Sequence, residues 1–344
     1  MSWELGPFTR LAEPLLTEQP ALPWASKDLF NPGAVVRDGA VHLLVRGEDD
    51  IGAYAGTSRI GVARSDDGVA FEIETEPVLS PADDACDAWE HEGGCEDPRV
   101  VESPDGTYVC TYTGFNGRRA TLMVATSIDL HAWVKHGPAF AGTPYEERWA
   151  KSGSIVTEVR DGRLVATQID GRYWMYWGEG TCFAATSTDL VRWTPLEFDT
   201  TEDRSLERVD GRWKLHRVRG GPALRPVLFP RAGRFDSLLV EPGPPAVRTE
   251  HGIVLLYNGG NHSVGGDASL PPHAYSPGQA LFDANDAASC IARATEPFLR
   301  PGAGEHEGQV GNVCFAQGLV LFRDEWRLYL GLADSRIGCA TAPA

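Results

Sequence analysis

A compound motif returns along this chain, and repetition at a long period constrains a fold more than any local propensity does. Three segments align as a short strand, a Ser-x-Asp turn and a strand led by an aromatic: "IGVARSDDGVAFEIETEPVL" from Ile60, "LMVATSIDLHAWVKHGPAF" from Leu122 and "CFAATSTDLVRWTPLEF" from Cys182. Weaker echoes follow at "CIARATEPFL" from Cys290 and "IGCATAPA" from Ile337. Ahead of these stand the apolar-aromatic strands "VHLLVRG", "YVCTYTG", "RYWMYWG", "IVLLYNGG" and "WRLYLGLAD", most of them entered through a hairpin signal such as "RDGA", "PDGT", "IDGR" or "TEHG". Ahead of those again, "NPGAVV", "EDPRVV", "KSGSIV", "GPPAVR" and "GNVCFA" each lead from a polar or Gly/Pro turn into an apolar strand. Four-strand units spaced by roughly 60 to 80 residues predict an all-β fold, a five-bladed β-propeller. The propeller is expected as a single domain over residues 1–344, its last blade closed by strands from both chain ends. A β-sandwich would not repeat one signature in this way, and β-helix coils are far shorter. Residues 199–240 break the period and read as an insertion or an elaborated outer hairpin.

Composition agrees and narrows the partners. The 38 Gly and 24 Pro suit many turns, and 10 Trp, 9 Tyr and 13 Phe suit short aromatic strands. A net charge of −17 disfavours nucleic acid and anionic membrane surfaces, which attract basic patches. The seven cysteines contain no CxxC pair, which reads as reduced thiols rather than a disulfide framework or a zinc knuckle. The N-terminus lacks a basic segment followed by an apolar one, so a cytoplasmic protein is expected. No Gly-rich loop sits between a strand and a helix, so no nucleotide or flavin cofactor is expected. No metal is expected either: His91 beside Glu92, and His306 near Glu305 and Glu307, read as substrate contacts or solvated groups.

In a propeller the first strand of each blade lines a central channel, so residues at its entry face one cavity. That register brings Asn31, Asp97, Lys151, Glu241 and Asn312 toward the axis, with Arg46, Arg64, Trp149, Tyr176, Asn258, Glu305 and Asp334 as the next ring. Glu96 stands beside Asp97 in "GGCEDPRV", where Pro98 pins the backbone and Arg99 can compensate charge. Function lies where the units differ. The recurrent Ser65, Asp66, Ser127, Asp129, Ser187 and Asp189 are therefore read as turn formers that bond backbone amides. Two carboxylates across a polar cleft suit glycoside chemistry. One protonates the leaving oxygen, while the other activates water at about 6.5 to 9.5 Å or attacks directly at about 5 Å.

Taken in order, "NPGAVV", "LLVRG", "GGCEDPRVV", "TYTGFN", "ATSIDLHAW", Lys151, "ATSTDLVRW", "EPGPPAV", "LLYNG" and "LGLADSRIGCA" resemble glycoside hydrolase family 130 over nearly the whole chain. The resemblance implies a five-bladed propeller and an inverting reaction on β-mannosides, by phosphate or by water. It also implies Asp97 as the acid. In the family's phosphorylases basic residues hold phosphate, and Arg46 and Lys151 match such positions; a Tyr-His-Gly contact is replaced here by Tyr257-Asn258-Gly259. Glu241 stands where those enzymes tend to carry neutral sequence, and an added carboxylate would repel phosphate but suit a base for water. The expectation is thus an inverting β-mannoside hydrolase, acting most readily on β-1,2-linked manno-oligosaccharides. Asp97, with a raised pKa, and Glu241, with a lower one, would be catalytic. Asn31, Arg46, Arg64, Glu96, Trp149, Lys151, Tyr176, Asn258, Glu305 and Asp334 would bind the oligosaccharide. The alternatives are a β-mannoside phosphorylase releasing mannose 1-phosphate and a catalytically silent carbohydrate-binding propeller, which would not need both carboxylates.

Overall fold

The hairpin signals fix the strand ends. Asp38-Gly39, Asp161-Gly162 and Asp170-Gly171 all take positive φ, with Asp at 50 to 51° and Gly at 74 to 75°, the pairing that two-residue hairpins require. A computed structural model describes residues 3–50, 56–198, 205–209, 212–216, 223–302 and 304–344. It is all-β, its helices limited to one turn at Asp87–Glu90 and a 3-10 turn at Pro23–Ala25. Among the described residues no helix is long and apolar enough to cross a membrane.

The strands form successive antiparallel meanders. The first unit pairs Asp28–Arg37, Ala40–Glu48, Ser58–Ser65 and Glu72–Ile73. The second pairs Gly94–Glu102, Tyr108–Phe115, Ala120–Ser127 and Trp133–Pro138. In the third, Ser154–Arg160 pairs with both Arg163–Ala166 and Arg172–Trp177, and Cys182–Ser187 and Thr194–Pro195 follow. In the fourth the first strand is split into Leu239–Pro242 and Ala246–Thr249, because Pro242, Pro244 and Pro245 donate no ladder bond; both halves pair with Gly252–Gly260, followed by Tyr275–Phe282 and Cys290–Arg293. The fifth joins Cys314–Phe322, Glu325–Leu332 and Arg336–Pro343 to Thr9–Arg10 from the other end of the chain. Within 199–240, Ser205–Val209 and Arg212–His216 pair as a separate hairpin, and Pro226–Leu228 rejoins Cys182–Ser187. Residues 199–204, 210–211 and 217–222 lie outside the described set.

Alternation places successive side chains on opposite faces, so each unit supplies two apolar faces. Val100 packs with Val35, Leu44 and Ile60 of the first unit, whereas Val101 packs with Ile155, Met175 and Trp177 of the third. The third and fourth units share Val156, Tyr176, Leu255 and Tyr257. The fourth and fifth share Val254, Leu256, Leu328 and Leu330. Another cluster joins the fifth unit back to the first through Phe322, Tyr329, Leu43 and Val45. The cysteines are unpaired thiols, buried in these clusters except Cys290.

The turns work as read, with one shift of residue. Ser127 Oγ accepts the Asp129 and Leu130 amides while Asp129 Oδ1 accepts those of His131 and Ala132; Ser187 and Asp189 repeat this. In the first unit Asp67, not Asp66, completes the turn, accepting the Val69 and Ala70 amides. Each later turn is closed by an indole: Trp133 Nε1 donates to Leu130 O at 2.8 Å and Trp193 Nε1 to Leu190 O at 3.1 Å. Trp193 is buried and Trp133 half-buried.

Two outcomes follow from this packing. Trp193→Ala should destabilise the protein by about 3 to 5 kcal/mol in denaturant titrations, as for a large buried aromatic, and Trp133→Ala by clearly less. The amides of Ala70 and Ala132 lead those that hold the Asp67 and Asp129 carboxyls down to about 2, below their ordinary 3.8. Groups depressed on folding contribute stability that is complete above about pH 4 and lost as pH falls through about 2. Replacing both with Asn should flatten the acid slope of the melting temperature over that window.

Candidate active site

The first strands of the first and second units bulge where they reach the cavity. Pairing slips between Phe30 and Gly33 and again between Glu96 and Arg99. The extra residues are Asn31-Pro32 and Asp97-Pro98, with Asn31 at φ 46° and Asp97 at φ 49°. Asn and Asp tolerate this left-handed conformation better than other non-glycine residues. The bulge breaks the alternation that would send Glu96 and Asp97 to opposite faces, so one Arg46 guanidinium binds both.

Asp97 borders a cavity of about 190 Å³ lined also by Asn31, Arg46, Lys151, Glu179, Glu241, Tyr275, Val310, Val313, Phe315 and Asp334. Asp97 Oδ1 accepts from Asn31 Nδ2 at 2.9 Å and from Arg46 Nη1 at 3.0 Å. Arg46 Nη2 also meets Glu96 at 3.2 Å and Glu48 at 2.7 Å, and its Nε donates to Ser58 Oγ at 2.9 Å. Lys151 Nζ lies 3.5 Å from Glu96 Oε2. Across the cavity Glu241 Oε1 accepts a short hydrogen bond from Ser152 Oγ. Arg99 is buried beneath, donating to Gly243 O at 2.7 Å, Pro242 O at 2.9 Å and Asp97 O at 3.2 Å.

Burial pushes the Asp97, Glu241 and Asp334 carboxyls upward, and the cations decide which ones yield. For Asp97, Arg46, Lys151 and the Asn31 amide together outweigh burial and hold the group below the usual range. Glu241 is raised to about 7 by burial and by Glu179, against Arg99, Lys151 and Ser152. Asp334 is also raised to about 7, by burial and by Asp97 against the pull of Arg46. Lys151 is raised despite burial because Glu96 and Asp97 favour its charge. The expected order of the two carboxyls is therefore reversed: Asp97 is the stronger acid and Glu241 the weaker.

Of the residues singled out by sequence, Asn31, Arg46, Asp97, Lys151, Glu241 and Asp334 meet at the cavity, with Glu96 bound to its two cations. Trp149 is 49% exposed and donates to Glu179 at 2.7 Å on the rim. Five placements are corrected. Arg64 is on the surface with Asp66 at 2.6 Å. Tyr176 is core, its hydroxyl donating to Ala287 O at 2.8 Å. Asn258 is buried between strands, donating to Ala316 O at 3.0 Å and accepting from Ala316 N at 2.7 Å. Glu305 is held by Arg10 and by the Gly302 amide. Asn312 bonds His306 rather than the cavity. The reading missed Glu179, Tyr275, Val310, Val313 and Phe315. "GNVCFA" had been marked as a strand entry, yet only its polar Asn was taken forward.

The family model described as beta-1,4-mannooligosaccharide phosphorylase matches residues 16–344. A curated 1,2-beta-oligomannan phosphorylase of Thermoanaerobacter sp. (strain X514) is 29% identical over 95% of this chain and 94% of its own. A beta-1,2-mannobiose phosphorylase from the same strain is 27% identical over 97% of this chain and 96% of its own. A solved structure, presented under the statement that this family of mannoside phosphorylases contains glycoside hydrolases that target beta-1,2 mannosidic linkages in Candida mannan, is 42% identical with a TM-score of 0.89, covering 100% of this chain and 97% of that one. These relatives correct the expectation that hydrolysis is the main reaction, since the family description and both curated relatives are phosphorylases. One of its physical supports weakens as well: Asn258, in the place of the phosphorylases' phosphate-contacting His, does not line the cavity. With a match running from Leu16 to the last residue, the chain belongs to glycoside hydrolase family 130.

Proposed function

We propose that the five units close radially as a five-bladed β-propeller, one domain over residues 1–344, whose axial cavity phosphorolyses β-1,2-linked manno-oligosaccharides with inversion. The radial reading is supported by apolar clusters shared between consecutive units, including one between the last and the first. The chemical reading is carried by the convergence of Arg46 and Lys151 on Glu96 and Asp97. Two half-buried cations at the acid suit an anionic nucleophile, in a chain similar along its length to β-1,2-mannoside phosphorylases.

In this reading phosphate engages Arg46 and Lys151 and weakens their pull on Asp97. Its carboxyl pKa then rises, and Asp97 takes up a proton. That proton passes to the bridging oxygen as the bond from this oxygen to the anomeric carbon breaks. A phosphate oxygen bonds to the same carbon from the opposite face, giving α-mannose 1-phosphate and the shortened sugar chain. Below about pH 7 Glu241 and Asp334 are neutral and can donate hydrogen bonds to phosphate or sugar hydroxyls; above it they are anions that repel phosphate.

The deciding experiment is incubation with β-1,2-mannobiose with and without phosphate. Mannose 1-phosphate should accumulate only with phosphate, and free mannose released at the same rate without it would refute the proposal. Asp97→Asn should lower turnover at least about a hundredfold with unchanged melting, the scale of a lost general acid. Phosphate affinity should weaken as pH rises through about 7, the value to which Glu241 is raised. Phosphate gains charge over the same range, so the decisive comparison is Glu241→Gln, which should retain more affinity at pH 8 than the wild type; equal losses would remove Glu241 from this role.

A further inference from the structure

The loop entering the fifth unit carries a side chain that this mechanism does not use. Its base is anchored through Glu305, paired with Arg10 of the N-terminal strand and accepting the Gly302 amide at 2.7 Å. The Asn312 amide donates to Glu305 O at 2.6 Å, so the main chain of the same residue is fixed as well. At its tip Val310 borders the cavity. Between these points the exposed Gln309 reaches into the first unit. Its Nε2 donates to Glu48 Oε2 at 2.7 Å and to Asp28 Oδ2 at 2.8 Å. The other Glu48 oxygen accepts from Arg46 Nη2 at 2.7 Å and from Ser58 Oγ at 3.1 Å. Arg46 in turn donates to Asp97.

We propose that Gln309 is a positioning residue for the reaction: with loop 304–312 seated at the cavity, it fixes the Glu48 carboxylate and thereby the Arg46 guanidinium against Asp97. The reason is competition for one planar fork. Glu48 and Asp97 draw on different nitrogens of the same guanidinium. A Glu48 whose second oxygen is satisfied by Gln309 needs no second bond from Arg46. Without that donor Glu48 is left with Arg46, Ser58 and the more distant Lys27 at 3.5 Å, and the guanidinium turns toward it and away from Asp97. The amide suits the task because it donates to two neighbouring carboxylates without adding charge.

The inference rests on the Asp97 and Arg46 roles proposed above, and its test separates the two. Wild type, Gln309→Ala, Glu48→Gln and the double variant are compared on β-1,2-mannobiose with phosphate. Gln309→Ala should lower kcat about tenfold while KM changes by less than about threefold, and the double variant should be no worse than Glu48→Gln alone, the non-additivity of one shared network. Melting should stay unchanged, since Gln309 is exposed, and Gln309→Lys, which restores a donor, should recover most of the lost kcat. Unchanged kcat, an effect on KM alone, or losses that multiply in the double variant would overturn the proposal. If the wild type instead releases mannose without phosphate, the phosphorylase reading fails, and the same four kcat values measured without phosphate still decide the role of Gln309.

Discussion

Arg99 joins the two sides of the site. It is 2% exposed, and its donors reach Asp97 O in the second unit and Pro242 O and Gly243 O in the fourth. Bulged and proline-interrupted strands leave carbonyls without ladder partners, and a buried unpaired carbonyl is costly. A planar guanidinium presents its donors in a fixed fork and so satisfies carbonyls of two strands together. The Phe315 ring lies 6.0 Å below its centre. The same solution recurs around the middle: Gln317 Nε2 binds Asn31 O at 2.7 Å and Pro98 O at 2.9 Å, and Ser154 Oγ binds Pro244 O at 2.6 Å. The backbone that carries Asp97 and Glu241 is therefore held by side chains from other strands.

This explains why Glu and Asp stand side by side ahead of Pro and Arg. Pro98 sits in the bulge and Arg99 closes it from below, so both carboxylates reach the same cations. Burying this many charges is unfavourable unless each is paired or neutralised, and the site does both. Glu48 and Asp97, which touch Arg46, are held below their ordinary values against burial. Glu241 and Asp334, with no direct ion pair among the described residues, rise to about 7. Proximity to one guanidinium sorts the carboxyls into anions and proton holders.

Much of the architecture was legible because turns carry local chemistry. Ser127-x-Asp129 and Asp170-Gly171 specify their geometry through their own side chains and φ values, whatever lies far away. The entry positions Asn31, Asp97 and Glu241 were legible for a related reason: each precedes a proline, and strand entry is where a repeat changes direction. Arg64, Tyr176, Asn258 and Glu305 failed because facing and partners are tertiary facts. Tyr176 and Asn258 lie in strands whose register alone decides what they meet. Arg64 pairs with a turn aspartate two residues on, a contact that polarity alone does not distinguish from a substrate contact. The apolar wall of Tyr275, Val313 and Phe315 escaped notice because an apolar residue at a cavity has the same sequence signature as one in the core.

In the proposed reaction the depressed acid becomes intelligible as one half of a linkage. Arg46 and Lys151 stabilise the ionised form of Asp97, and the same cations would neutralise phosphate. They cannot serve both anions fully. Binding phosphate must therefore favour protonation of Asp97, and by reciprocity protonation of Asp97 must favour phosphate by the same factor. An enzyme without phosphate keeps its acid ionised and unable to protonate a glycosidic oxygen. Loading the nucleophile and arming the acid become a single equilibrium, governed by where two side chains direct their positive charge.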